Sequence, residues 1–179
     1  MWKEMEADGR KWKINPYLCS RINSCKTQRM VTFIGEYKAK VDDRGRIVFP
    51  AAFKATMGPG ADLRFVVKAS LFTGSLEMYS YAEWEVEAAA VKAKLNFFNP
   101  EHDRFWREYM RGTAIVEPDD KLGRILIPKA LLEQAGITSG TEVVFSGNNH
   151  KIEIWPKDHY EAQKLERNAF VALAEKILG

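Results

Sequence analysis

Lys38, Lys40, Arg44 and Arg46 place four cations within nine residues, across the end of one candidate strand and the turn behind it. Alternate residues of a strand share a face, so Lys38 and Lys40 project together, and the turn adds Arg44 and Arg46. Such a ridge meets phosphates through charge and base edges through the fork of the Arg side chain. The competing reading of Arg46 is structural, because Asp42 stands four residues before it and can pin the turn. Little else in the chain is arranged for chemistry. His102, His150 and His159 are scattered, without a nucleophile or metal-ligand partner at useful spacing. The glycines form no phosphate cradle, and Met57-Gly58-Pro59-Gly60 reads as a turn. An enzyme is not expected, nor is a metal or other cofactor.

The turn occurs twice. Asp42-Asp43-Arg44-Gly45-Arg46-Ile47-Val48-Phe49-Pro50 returns 78 positions later as Asp120-Lys121-Leu122-Gly123-Arg124-Ile125-Leu126-Ile127-Pro128, with Asp, Gly, Arg, Ile and Pro in step. Leu76-Glu77-Met78-Tyr79 returns as Ile152-Glu153-Ile154-Trp155, now 76 positions later, and Trp84 is answered by Tyr160. This is an internal duplication, so both copies should make the same fold and pack about a pseudo-two-fold axis. Asp42 and Gly45, with Asp120, Gly123 and Arg124, then read as structural residues of the two turns. The cations are not shared. Val116 and Pro118 stand where the first copy has Lys38 and Lys40, and Leu122 replaces Arg44, leaving only Lys121 in the second turn. The duplication is read as functionally split, with the first copy meeting the partner and the second serving as scaffold or subunit interface.

Phe33, Tyr37 and Val41 alternate with Glu36, Lys38 and Lys40, the pattern of a half-buried strand. Ile47–Phe49 is a short apolar strand, and Pro50 opens a short helix. Leu63–Lys68 and Leu76–Tyr79 read as strands, Ser80-x-x-Glu83 as a capping box, and Asn99-Pro100-Glu101 as the start of a helix carrying Phe105, Trp106, Tyr109 and Met110. That aromatic stripe is read either as core or as a subunit contact. The second copy repeats the scheme. It has a hairpin around Gly147-Asn148-Asn149 and ends in a long helix, Pro156–Leu178, with Phe170, Leu173 and Ile177 spaced to bury one side. The reading is α+β: a pseudo-two-fold β-barrel from two internal repeats, with helices flanking it. Four short strands close poorly, whereas eight from two copies can form a barrel without edges.

The 179 residues carry a net charge of +3, which the N-terminal segment dominates. Residues 1–29 hold seven Lys or Arg and three Asp or Glu, leaving 20 of the 27 bases and 21 of the 24 acids for the rest. A nucleic-acid face must therefore be local. Both cysteines, Cys19 and Cys25, lie in that segment; the remainder has none, which suits a reducing compartment. Residues 1–29 lack the apolar stretch of a signal peptide. They are read as a disordered or mis-assigned N-terminal extension, with a basic DNA-binding arm as the alternative. Residues 30–111 then form the first repeat, and residues 112–179 the second with its C-terminal helix. No apolar run reaches the roughly 18 residues of a membrane span, so the chain reads as soluble.

With its two Asp-x-x-Gly-Arg turns, the chain resembles the MraZ family, duplicated relatives of the AbrB/SpoVT-type transcription factors. The resemblance covers about residues 30–160 and rests on Asp42 and Arg46 in the first copy and on Asp120 and Arg124 in the second. It implies a double-psi or swapped-hairpin AbrB/SpoVT-like barrel. It further implies a cytoplasmic, nucleoid-associated regulator that binds double-stranded promoter DNA at repeated sites upstream of the cell-division and cell-wall gene cluster. It also implies assembly into a homo-oligomeric ring. The alternative is a ring-forming interaction scaffold with only non-specific DNA affinity.

Overall fold

The structure, a computed structural model, describes residues 3–7, 10–14 and 31–179. The chain divides into two compact units, Met1–Met30 and Val31–Gly179. In the first, β1 (Lys3–Ala7) and β2 (Arg10–Ile14) pair antiparallel, with Met5 opposite Trp12. Both strands fall within the N-terminal extension, residues 1–29, and Trp12 and Ile14 alternate with Lys11 and Lys13 along β2. The other residues of that extension, including both cysteines, lie outside the described residues.

The second unit contains β3 (Phe33–Lys40), β4 (Arg46–Val48), β5 (Phe65–Ala69), β6 (Leu76–Ser80), β7 (Ala114–Val116), β8 (Arg124–Leu126), β9 (Glu142–Asn149) and β10 (Lys151–Pro156). Six of them form one antiparallel sheet in the order β3-β9-β10-β6-β5-β7, while β4 and β8 pair only with each other. This order reads the same from either end once each strand is exchanged for its counterpart in the other copy. The registers obey the same relation. Glu77 lies opposite Glu153 at the centre of β6–β10, and Ile47 lies opposite Ile125 at the centre of β4–β8. Each residue thus faces its own counterpart, as a two-fold relation between copies requires. Within the sheet, the first strand of each copy pairs with the other copy, β3 with β9 and β7 with β5 in reversed roles.

The expected closed barrel is not formed. The sheet is open, with β3 and β7 at its edges. The reason lies in length: β4 and β8 have three residues each, and the Ile47–Ile125 ladder uses up their pairing without reaching either edge. The architecture is α+β with an antiparallel sheet. Its core joins both copies, with Phe33, Ile47, Phe65, Leu76 and Met78 from the first and Ile125, Phe145, Ile152 and Ile154 from the second, all inaccessible to solvent.

The helices of the second unit are α1 (Ala51–Met57), α2 (Tyr81–Ala93), α3 (Pro100–Met110), α4 (Lys129–Gln134), α5 (Lys157–Ala162) and α6 (Arg167–Leu178). The Ser80 hydroxyl accepts from the Glu83 N–H and the Asn99 side chain from the Glu101 N–H, fixing the starts of α2 and α3. Of the aromatic stripe, Tyr109 is buried and stacks on Trp84, with ring centroids 5.9 Å apart, whereas Phe105 is exposed. Two expectations fail. The hairpin reverses at Asn149 and His150, not around Gly147, because Asn149 adopts the left-handed conformation, φ 57°. The long C-terminal helix is two helices, and Phe170, Leu173 and Ile177 are exposed rather than buried.

Ile47 and Ile125 are the contact through which the copies cross. Truncating either to Ala should cost about 2–5 kcal/mol. Since the two side chains touch one core, a urea-unfolding double-mutant cycle should return a coupling of roughly 0.5–3 kcal/mol. Additive losses would show that the copies do not depend on each other at this crossing.

Candidate nucleic-acid interface

The first turn is organised by Asp42. Its backbone N–H donates to the Arg46 carbonyl and its carbonyl accepts from the Gly45 N–H, closing the loop between β3 and β4. Gly45 sits at φ 76°, a conformation that penalises a β-carbon. The Asp42 carboxylate accepts from the backbone N–H groups of Arg44 and Arg46, both at 2.9 Å, and from Arg46 Nε at 2.7 Å. The Arg46 backbone N–H above all, with these other donors, holds the Asp42 carboxyl below the usual carboxylate range. From across the β4–β8 ladder, Arg124 Nη1 approaches the same carboxylate at 4.0 Å. One acid therefore gathers an arginine from each copy. Only Nε of Arg46 is used; its two terminal nitrogens make no hydrogen bond among the described residues. The structural and recognition readings of Arg46 are thus compatible within one side chain.

In the second copy the equivalent acid is Asp119. Its N–H donates to the Arg124 carbonyl, its carbonyl accepts from the Gly123 N–H, and its carboxylate accepts from the Leu122 N–H at 2.6 Å. That last bond holds its carboxyl below the usual range, as the corresponding bonds do for Asp42. The sequence register pointed to Asp120, whose side chain makes no hydrogen bond or ion pair among the described residues. The second turn is one residue longer between acid and arginine, so counting back from Gly-Arg lands on the wrong member of the Asp119-Asp120 pair. The signal was the pair itself.

Lys38 and Lys40 lie on the exposed face of β3, with Glu36 on the same side. Lys40 pairs in register with Glu142 and Lys38 with Val144. Glu142 is already engaged by Lys157 Nζ at 2.7 Å, and Lys157 first, then Lys38 and Lys40, hold its carboxyl down. Glu36 accepts from the Tyr160 hydroxyl at 2.7 Å. In the turn, Asp43 accepts from the Ser139 hydroxyl at 2.8 Å, and Arg44 carries no ion pair among the described residues. Lys157 thus takes up the nearest carboxylate, while Lys38 and Lys40 make no ion pair among the described residues and, with Arg44, form the positive edge. The sequence does not single out Lys157, because it meets Glu142 on β9 across the β9–β10 hairpin, a contact between residues 15 apart that no strand or helix spacing signals.

The outward face of the β4–β8 ladder shows Arg46, Val48, Arg124 and Leu126, with Ile47 and Ile125 turned into the core. Among the described residues, no group of three or more His, Cys, Asp or Glu side chains could hold a metal ion. No helix among them is long and apolar enough to cross a membrane.

Over 152 residues the chain is 40% identical to the transcriptional regulator MraZ of Christiangramia forsetii, a match spanning 84% of this chain and 95% of that protein. The chain belongs to the MraZ family. The transcriptional regulator MraZ of Bacteroides fragilis is 34% identical over 83% of this chain and 92% of its own length. That of Lachnoclostridium phytofermentans is 37% identical over 75% and 88%. The family described as "MraZ protein, putative antitoxin-like" matches residues 109–178, from the end of α3 through the second copy. The MraZ membership expected from the duplicated turn is thereby established for the chain.

The Asp119 assignment is open to test. Asp119→Ala should lower the melting temperature clearly, while Asp120→Ala should leave it almost unchanged; the reverse order would return the role to Asp120. The pH dependence has a fixed sign. Because both turn acids titrate lower in the folded than in the unfolded chain, their stabilisation is present above the ordinary Asp value near pH 4 and is lost as pH falls through the folded values. Asp42→Asn should flatten the acid limb of a melting-temperature profile, and an unchanged limb would deny Asp42 that part.

Proposed function

We propose that the chain is a sequence-specific, double-stranded-DNA-binding transcriptional regulator whose first copy carries the binding face. Its relatives' names support a regulator, and Lys38 and Lys40 on the exposed side of β3, continued by Arg44 and by the terminal nitrogens of Arg46 that make no hydrogen bond among the described residues, support that face. Lys38, Lys40 and Arg44 would meet phosphates, and Arg46 would present its open fork to a phosphate or a base edge while Asp42 holds its Nε. The MraZ resemblance adds the setting: a cytoplasmic, nucleoid-associated protein acting on promoter repeats of the cell-division and cell-wall gene cluster. A single patch of so few cations binds weakly. Several of them on a homo-oligomeric ring, engaging tandem sites, would multiply affinity by about 10²–10⁴ through effective concentration.

A ring-forming scaffold with only non-specific DNA affinity is the rival, and the uncovered apolar side of α6 suits the ring that both readings share. Binding to promoter DNA and to a scrambled duplex at matched salt separates the two. The regulator should prefer the promoter by roughly 10³ or more, and equal affinities would remove the proposal. Lys38→Ala and Lys40→Ala should each weaken binding to all sequences and reduce the salt slope by about one. If Arg46 reads a base edge, Arg46→Ala should instead cost roughly 1–3 kcal/mol of binding and relax specificity.

A further inference from the structure

Two surfaces of the second unit have no use in the chain's own fold. The first is α6. Phe170, Leu173, Ala174, Ile177 and Leu178 follow the spacing of an amphipathic stripe, yet the four large side chains are exposed and only Ala174 is partly covered. A helix of 12 residues gains little stability in water unless its apolar side is packed. The second is a cleft of about 280 Å³ between the sheet and the helices α2 and α3. Leu71, Phe72 and Phe105 at this cleft are exposed, Phe72 at 92%.

The cleft also holds a buried cation, Lys68, met by a carboxylate and an aromatic face rather than by a hydrogen bond. The Lys68 side chain is 5% exposed, but its ammonium donates no hydrogen bond among the described residues. The nearest carboxylate oxygen, on Glu77, is 3.8 Å away, and the Tyr109 ring centroid 3.9 Å. Lys151 is the cation that satisfies Glu77, donating at 2.8 Å. Glu87 lines the same cleft without an ion pair among the described residues. On α6, Glu175 and Lys176 border the stripe and are likewise unpaired among them. The two surfaces match in two respects: each offers exposed apolar side chains, and Glu87 at the cleft, without an ion pair among the described residues, is opposite in charge to Lys176 beside the stripe.

We infer that α6 of one copy docks into the α2–α3 cleft of a second copy, with Phe170, Leu173 and Ile177 on Leu71, Phe72 and Phe105. This rests on the ring reading and gives it an interface. The two surfaces are different patches of one chain, so the contact is head-to-tail, the type that closes rings when the rotation allows. It follows the helix-in-groove mode of recognition.

The test uses the full chain and two variants of exposed residues, Phe170→Glu with Ile177→Glu on the helix and Phe72→Glu with Phe105→Glu on the cleft. Masses are read by light scattering, and folding is checked by circular dichroism. The wild-type chain should assemble, and each variant alone should run as a monomer with an unchanged spectrum. Mixed, the variants should form a 1:1 heterodimer and stop there, because one retains the cleft and the other the helix. A variant that keeps the wild-type mass, or a mixture that stays monomeric, would overturn the docking and leave the ring reading standing. A monomeric wild-type chain would instead remove the ring reading, and the docking with it.

Discussion

The fold depends on the crossing of two short strands. Ile47 and Ile125 are fully buried and face each other at the centre of the β4–β8 ladder, each opposite its own counterpart. Neither copy could bury these strands alone, because small units cover too little of their apolar surface. The exchange of first strands between the copies commits each half further to the other. At the second crossing, Glu77 and Glu153 lie opposite each other, and like charges in that position repel. Lys151 stands between them, 2.8 Å from one and 3.4 Å from the other, and its ammonium offsets the repulsion.

The candidate interface grows out of the same constraint. Because β4 and β8 run antiparallel about Ile47 and Ile125, Arg46 and Arg124 both reach the outward side, where Asp42 draws them together. The turns that precede these strands must be tight, which explains an acid whose carboxylate accepts from backbone N–H groups of its own turn and a glycine at positive φ in each. Shared residues therefore build the crossing. The residues outside it were free to diverge. With Asp119 equivalent to Asp42 the strand register moves by one. The first copy thus has Lys38, Lys40 and Arg44 where the second has Ile115, Glu117 and Leu122, not the Val116 and Pro118 that the sequence repeat alone suggested.

Much of this was legible in the sequence because duplication supplies a comparison that one copy cannot. The paired turns, the alternation that puts Lys38 and Lys40 on the exposed side of β3, and the caps at Ser80 and Asn99 depend on local chemistry, and the structure has them. What escaped depends on geometry beyond local spacing. An inserted residue moved the turn acid from Asp120 to Asp119. Strand length, not strand number, left the sheet open. The engagement of Glu142 by Lys157 joins elements that no periodicity connects. The stripe on α6 is plain in the sequence, but periodicity shows only that a face wants cover, not which molecule supplies it.

The central claim is that the copies share a fold while only the first meets DNA. Amide hydrogen exchange of the full chain, with and without promoter duplex, addresses it at both turns in one experiment. Protection should rise across residues 36–46, from the exposed face of β3 through the Asp42 turn, and stay near its free value across residues 117–124. Equal protection of the two turns, or protection confined to the Asp119 turn, would contradict the account.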